Sequence, residues 1–487
     1  MSKKLLSKRR DFLKTAAAGA MGIMAIKFDK AFASSSGGWT SGMQVNPAID
    51  NKRVVCCHDT KMLTSTPSTL SFTNQNSAVN ATLVASNMDQ MAMQLAQKPT
   101  AAEAWSTIFQ KPAAKTWASV RVAMKTNGIG GTTTNRPRVA IYKKICDVLV
   151  DLGVPPANIV LYDACNDASV YYSSYMSLTD STKIRAVIST RAASLGGFKA
   201  VTLTNAQSIS CPADLANGVI DILVNVAACK SHNGTGGNFN YGSCTLCMKN
   251  HLGTFTDGTR AGYSNNLHVP NNAASPPPTP LALFEINKHA AILGGTPVRQ
   301  QLCIVDALLS NGNSGPGGDP DNRTDRLVMG TFAPIVDYLT ANKILLNSSI
   351  MTKPIATLGV TNAAIILPQF LTSFGYAVAD VQNSWNEYIP GTGVVNPPSR
   401  EYSGRVVQLA LSNPSFKRTV ARFTIPSPAG AAMQVSIFDG RGKLTRRLSA
   451  SFDETIVWDG LTNNGTTVAA GKYLVKIIAG TVERAGS

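Results

Sequence analysis

The stretch Ile222–Phe255, ILVNVAACKSHNGTGGNFNYGSCTLCMKNHLGTF, decides how the rest of the chain is read. It opens as a buried strand: Ile222, Leu223, Val224 and Val226 form an apolar run with β-branched members. It then turns polar. Cys229, Lys230, His232, Cys244, Cys247, Lys249, Asn250 and His251 follow, interleaved with glycines. Gly234, Gly236, Gly237 and Gly242 fall in the connecting loop, where backbone can come close to a ligand. A strand that ends in a glycine-rich loop bearing Lys, His and thiol groups is where an open α/β sheet keeps its site.

The flanking segments repeat this pattern. Ser119–Met124 alternates as a strand and runs into Lys125-Thr126-Asn127-Gly128. Pro137–Leu152 reads as a helix closed by Gly153, and Asn158–Tyr162 as a buried strand with Asp163, Cys165, Asn166 and Asp167 at its end. Gln301–Leu308 is a strand carrying Asp306, and the Gly/Asn-rich run 311–318 is a loop. Arg326–Gly330 is a further strand, and Ala333–Lys343 a helix holding Asp337. Upstream, a strand-like start at Lys52 leads to Cys56-Cys57-His58-Asp59. Ala78–Gln97 reads as an amphipathic, methionine-rich helix that serves core packing. Pro276–Pro280 reads as a surface loop over the site face. Strands alternating with helices predict an α/β domain over residues 52–400. Its sheet is expected to be mixed or parallel, flanked by helices, with the site on one rim.

From about Arg405 the character changes to short alternating runs separated by turns, which predicts an all-β sandwich over residues 405–487. Asp439-Gly440, Val457-Trp458-Asp459-Gly460, Asn464-Gly465 and Ala470-Gly471-Lys472-Tyr473 carry a resemblance. They are similar to the Ig-like module of flagellar hook-capping proteins and to the C-terminal sorting modules of type IX secretion cargo. A sorting role conflicts with the export signal described next, so the resemblance implies a binding or spacer module whose partner is a cell-surface polymer.

At the other end, Lys8-Arg9-Arg10-Asp11-Phe12-Leu13-Lys14 is a twin-arginine pattern, with Lys8 where Ser or Thr is usual. A mildly apolar stretch, Thr15–Ile26, and the small residues of Ala31-Phe32-Ala33 complete a Tat signal over residues 1–33. Residues 34–51 are Ser/Gly-rich and read as a linker. The expected location is periplasmic or secreted, with the Tat translocase as partner during export. The chain of 487 residues carries a net charge of +17, of which residues 1–33 contribute eight Lys/Arg and two Asp; removing their +6 leaves +11. No Lys/Arg block is interleaved with aromatics, which excludes the nucleic-acid-binding class. No long apolar run outside the signal suggests a membrane span. An odd count of nine cysteines, several close to His residues, points to metal or redox chemistry rather than a disulfide framework.

The core segments taken together resemble the family known as domain of unknown function 362. Lys125-Thr126-Asn127 is similar to its Lys-Pro-Asn, and Cys229-Lys230-Ser231-His232 to its Lys-x-His. Thr245–Gly253 is similar to its Thr-Leu-x-x-Lys-Asn-x-x-Gly. Ile304-Val305-Asp306-Ala307, the loop Asn313–Gly318 and Val336-Asp337 complete the series. The family has no established activity. Some relatives carry ferredoxin-type cysteines, and that four-cysteine run is absent here.

Three readings follow. In the first, Lys125, Asn127, Lys230, His232, Lys249, Asn250 and Asp306 converge on the rim as an enzyme or receptor for an anionic small molecule. Lysines supply charge, the asparagines orient the ligand, and His232 or His251 moves protons. Gly315, Gly317 and Asp337 would then contact a cofactor of unknown identity. In the second, Cys229, Cys244, Cys247 and His251 hold a metal ion or an iron–sulfur cluster. In the third, the protein is a non-enzymatic envelope binding protein.

Overall fold

The computed structural model describes residues 38–67, 70–128, 135–163, 187–190, 195–203, 208–231, 244–256, 282–312, 318–352 and 366–390. Further on it describes 409–410, 421–423, 432–439, 444–450, 456–458, 461–468 and 472–480. The predicted signal peptide and the Pro276–Pro280 loop lie outside the described residues. Two compact units are present, Met1–Asn396 and Pro397–Ser487.

In the first unit, β1 (Val54–His58) leads to helices α1 (Phe72–Ser77), α2 (Ala81–Ala96) and α3 (Ala101–Ile108). Then come β2 (Val122–Lys125), α4 (Val139–Asp151), β3 (Ile159–Asp163) and β4 (Val187–Thr190). A hairpin of β5 (Phe198–Thr202) and β6 (Ser208–Pro212) and the short α5 (Ala213–Ala216) precede β7 (Ile222–Ser231). The unit continues through β8 (Cys244–Thr245), α6 (Cys247–Asn250), α7 (Ala282–Lys288), β9 (Gln300–Asn311), β10 (Asn322–Gly330), α8 (Ala333–Thr340) and β11 (Trp385–Tyr388). The helices start and stop where side chains satisfy their free backbone groups. Asn80 accepts from the Leu83 N–H at the start of α2, and Gln97 ends it at φ 53°. Val84, Met88, Met91 and Leu95 recur at helical spacing and are all buried. Each burial of that size stabilises by about 1.5–3 kcal/mol. Gly153, just past α4, takes φ +102°, the left-handed cap that its sequence position predicts.

The large sheet has nine strands in the order β11-β1-β10-β9-β7-β2-β3-β4, with β8 added beside β7. Strands β9, β7, β2, β3 and β4 are mutually parallel, and β10 runs against β9. The sheet is therefore mixed, as the alternation of strands and helices predicts. One face packs on α2, α3 and α4, with Val122, Val224 and Ile304 meeting Met88, Trp105 and Ile145. The opposite face packs on the β5–β6 hairpin, α7 and α8, with Ala123, Leu223 and Val305 meeting Ile209, Phe284 and Val336. From β2 the chain builds outward through β3 and β4, then returns to place β7 on the other side of β2. The first crossover covers one face and the return covers the other. That reversal is a topological switch point beyond the C-terminal ends of β2 and β7, the place where open α/β sheets bind ligands.

Strand β7 runs to Ser231, five residues beyond the apolar run. The polar extension stays extended because both of its edges are paired: Lys230 lies opposite Asn311 of β9 on one side and Thr245 of β8 on the other. Nonlocal partners thus satisfy a backbone whose side chains alone would read as loop.

The second unit forms β12 (Leu409–Ala410), β13 (Ala421–Phe423), β14 (Ala432–Phe438), β15 (Leu444–Ala450), β16 (Ile456–Trp458) and β17 (Lys472–Gly480). Strands β12-β17-β14-β15 make an antiparallel sheet, and β13 pairs with β16 separately. Trp458 is buried and its indole N–H donates to the Leu461 carbonyl at 2.9 Å. Gly465 takes φ +77° in the predicted Asn-Asn-Gly turn. No helix among the described residues is long and apolar enough to cross a membrane.

Candidate functional site

Strand β2 ends at Lys125, whose side chain is almost wholly buried. Its ammonium donates to the Thr126 carbonyl at 2.6 Å, to Asn250 Oδ1 at 2.9 Å and to Asp163 Oδ1 at 3.1 Å. Asp163 stands at the end of the adjacent β3, and its second oxygen accepts from the Gly128 N–H at 2.7 Å and the Thr126 hydroxyl at 3.3 Å. The carboxylate therefore holds the chain leaving β2 as well as the lysine. Asn250, at the end of α6, is oriented by its neighbours. Its Oδ1 faces two donors, Lys125 and Asn127, and its Nδ2 faces two acceptors, Asn225 Oδ1 and the Val226 carbonyl. Asn127 Oδ1 in turn accepts from the Ala228 N–H of β7 at 3.4 Å. Lys125, Asn127 and Asn250 thus meet at the point where β2 and β7 diverge.

Behind them lie further buried polar groups. Asn225 donates to the Cys247 carbonyl and to Gln300 Oε1. His251 Nε2 lies 2.6 Å from Gln300 Oε1, so that nitrogen carries the proton, and Nδ1 accepts from the Thr254 hydroxyl at 3.0 Å. Thr254 accepts from Tyr162 at 3.0 Å. Burial pushes the His251 imidazole down to about 3, so it is neutral near pH 7 and its Nε2–H serves to fix Gln300. Gly253 packs against the ion pair. A Cβ there would sit 2.8 Å from Lys125 Nζ and 2.9 Å from Asp163 Oδ1. Gly253→Ala is expected to lower stability by about 1–3 kcal/mol through overpacking, read as the denaturant midpoint. An unchanged midpoint would show that the pair yields freely.

Lys230 does not join Lys125. Side chains alternate along β7: Leu223, Asn225, Ala227 and Cys229 point to one face, and Val224, Val226 and Lys230 to the other. Lys230 Nζ instead donates to the Asn135 carbonyl at 3.2 Å, in the segment leading into α4. Arg138 lies in the same segment, fully buried, with its Nη1 3.3 Å from Asp306 Oδ2. Asp306 also accepts from the Arg138 backbone N–H at 2.6 Å and the Leu308 N–H at 3.0 Å. Asp306, expected among the residues converging on the rim, anchors the start of α4 through Arg138. Lys249 sits on α6, and both Cys244 and Lys230 act on its ammonium. Burial pushes that ammonium well below the ordinary lysine value; Cys244 opposes the shift and Lys230 adds to it. The expected single hollow is thus two groups at the same rim, one on each face of β7, because Asn225 and Lys230 are an odd number of residues apart.

Asp337 accepts from the Cys247 and Met248 N–H groups at 2.9 and 2.7 Å and caps α6. Burial pushes its carboxyl up to about 7 against those two donors. It positions the helix that carries Lys249 and Asn250. The cofactor contacts expected at Gly315 and Gly317, and the proton carrier His232, lie outside the described residues.

Cys229, Cys244, Cys247 and His251 do not assemble into a metal site. Both His251 ring nitrogens are engaged within the protein, and no group of three or more His, Cys, Asp or Glu among the described residues could hold a metal ion. All eight described cysteines are buried and unbridged. Burial pushes Cys229 up to about 12 and Cys244 and Cys247 well above the usual thiol value, which favours the thiol over the metal-binding thiolate.

Sequence reading overlooked Asn225, Gln300, Asn135 and Arg138, and noted Asp163 only as a strand-end residue. Asn225 had a visible signal: a lone amide inside an apolar central strand must be hydrogen-bonded.

No curated protein matches the chain. Among solved structures it is similar to FLGD from P. aeruginosa, at 20% identity and a TM-score of 0.11. That match covers 12% of this chain and 50% of that one, so the chain spans about half of the structure it matches. Every residue of the rim described above, from Lys125 to Asp337, falls within residues 122–342, which match the family described as Domain of unknown function (DUF362).

Proposed function

We propose that this chain is an exported protein that binds a small anionic molecule at the C-terminal rim of its large sheet, with Lys230 and Lys249 supplying the charge. One observation carries this reading. Asn135, Ser231 and Thr245 are buried, and the polar atoms of their side chains have no hydrogen-bond partner among the described residues. Two of them flank Lys230, Asn135 through its carbonyl and Thr245 opposite it on β8, while Ser231, next along β7, presents its hydroxyl to the other face. Burying an amide or hydroxyl unpaired costs about 1–3 kcal/mol each, so such a cluster beside a lysine suits a ligand that supplies the missing acceptors. The twin-arginine string Lys8–Lys14 supports export, and the antiparallel strands of 409–480 support an Ig-like sandwich that tethers the protein to a surface polymer.

The experiment is thermal unfolding of the full chain against oxalate and inorganic phosphate. At least one anion is expected to raise Tm, and Lys230→Met to weaken its apparent Kd by about tenfold, or roughly 1.4 kcal/mol. A Tm indifferent to every small anion would remove the reading. Cell fractionation after changing Arg9 and Arg10 to Lys tests the export half: continued export would overturn it.

A further inference from the structure

Lys125, Asp163 and Asn250 are not used by the anion site proposed above, yet they bring an amine, a base and an amide into contact. Lys125 is 1% exposed, Asp163 4% and Asn250 3%, so bulk water does not reach the contact between them. Gly253 closes on the group with backbone alone, since a Cβ there would stand 2.8 Å from Lys125 Nζ. The ammonium nitrogen lies 2.9 Å from Asn250 Oδ1 and 3.1 Å from Asp163 Oδ1. A C=O bond is about 1.2 Å long, which puts that nitrogen within about 4.1 Å of the amide carbon. Reacting atoms need to stand about 3–3.5 Å apart, so about 1 Å of movement brings the nitrogen to attack. The amide is held in one orientation: Asn225 Oδ1 and the Val226 carbonyl accept from its Nδ2 at 2.9 and 3.2 Å, which turns Oδ1 toward the lysine. Asn127 Nδ2 donates to the same oxygen at 2.9 Å, where negative charge develops as the carbon is attacked.

We propose that Lys125 and Asn250 join in an isopeptide bond within the folded chain, with Asp163 as the base. The ion pair is the state from which the bond closes. Asp163 takes one proton from the ammonium. The freed amine attacks the side-chain carbon of Asn250 and forms a C–N bond. The amide nitrogen of Asn250 leaves as ammonia, carrying a second lysine proton with it. The products are a secondary amide, a protonated Asp163 and ammonia, so no oxidant or reductant is required. Neutral groups thereby replace a buried charge pair, which removes the cost of holding two ions out of water. The fold holds amine and amide together, so a reaction that is slow between separate molecules proceeds as one within a single molecule. The bond spans 125 residues of chain and ties the end of β2 to α6.

The test is the mass of the full chain, purified and then denatured. It is expected to be lighter than its sequence by one ammonia. Trypsin should no longer cut after Lys125, and a branched peptide should join the segments that hold Lys125 and Asn250. Asp163→Asn and Asn250→Ala should each restore the full mass and the cut after Lys125. If those variants fail to fold, the wild-type map decides alone. Wild-type protein of full mass, with a linear peptide ending at Lys125, would overturn the proposal. So would an ammonia lost elsewhere, such as Asn464-Gly465 closing to a succinimide, while the Lys125 and Asn250 peptides stay linear.

Discussion

Lys125→Met is expected to destabilise the protein by about 3–5 kcal/mol, the cost of breaking a buried ion pair from one side. The substitution keeps the length of the side chain, so packing changes little. What changes is charge. Asp163 would remain nearly buried, and its carboxylate would lose the lysine while keeping the Gly128 N–H and the Thr126 hydroxyl. Among the described residues, Asn250 Oδ1 would keep Asn127 alone as donor. The loss should appear in equilibrium urea unfolding, and it should shrink when Asp163→Asn is added, because the stranded charge is then gone. A single-variant loss below about 1 kcal/mol would mean that water or other partners already compensate the carboxylate, and the pair would not be the keystone of the rim.

Asp306→Ala is expected to cost about as much, roughly 3–5 kcal/mol, for a different reason. Arg138 is fully buried, and without Asp306 its guanidinium retains the Arg136 and Leu309 carbonyls, at 2.9 and 3.3 Å, but no counter-charge. Two backbone N–H groups, of Arg138 and Leu308, also lose their acceptor. Adding Arg138→Met should recover much of the loss. The single variant should also weaken anion binding, because Asn135, which receives Lys230, precedes Arg138 by three residues on the same anchored segment. If stability falls while affinity for oxalate or phosphate holds, the Asp306–Arg138 pair is structural alone and the rim is organised by other contacts.

Much of this architecture is legible in local patterning. The buried strands at Val122, Ile159 and Ile222 announce themselves through β-branched runs, and α4 through its spacing and closing glycine. The meeting of Lys125 with Asn250 follows from both standing at the ends of their segments. What is not legible depends on register. That Lys125 lies opposite Asn225 is a property of how β2 and β7 align, and no residue near Lys125 encodes it. The same holds for Asp163 as its counter-ion and for Gln300 beneath His251. The parity of β7 was available, since an odd separation along a strand sends two side chains to opposite faces. Pooling Lys230 with Lys125 ignored that rule.

The outermost strand of the large sheet carries a further consequence. Residues 385–388 of β11 lie alongside 54–57 of β1, and the Asn386 amide reaches the Val54 carbonyl across 332 residues of chain. Synthesis therefore releases β1 long before its outer neighbour exists. Until Tyr388 has emerged, β1 offers an unprotected edge for stray pairing, and closure over so long a loop is slow. A chain built this way gains from any delay in pairing until its full length is available.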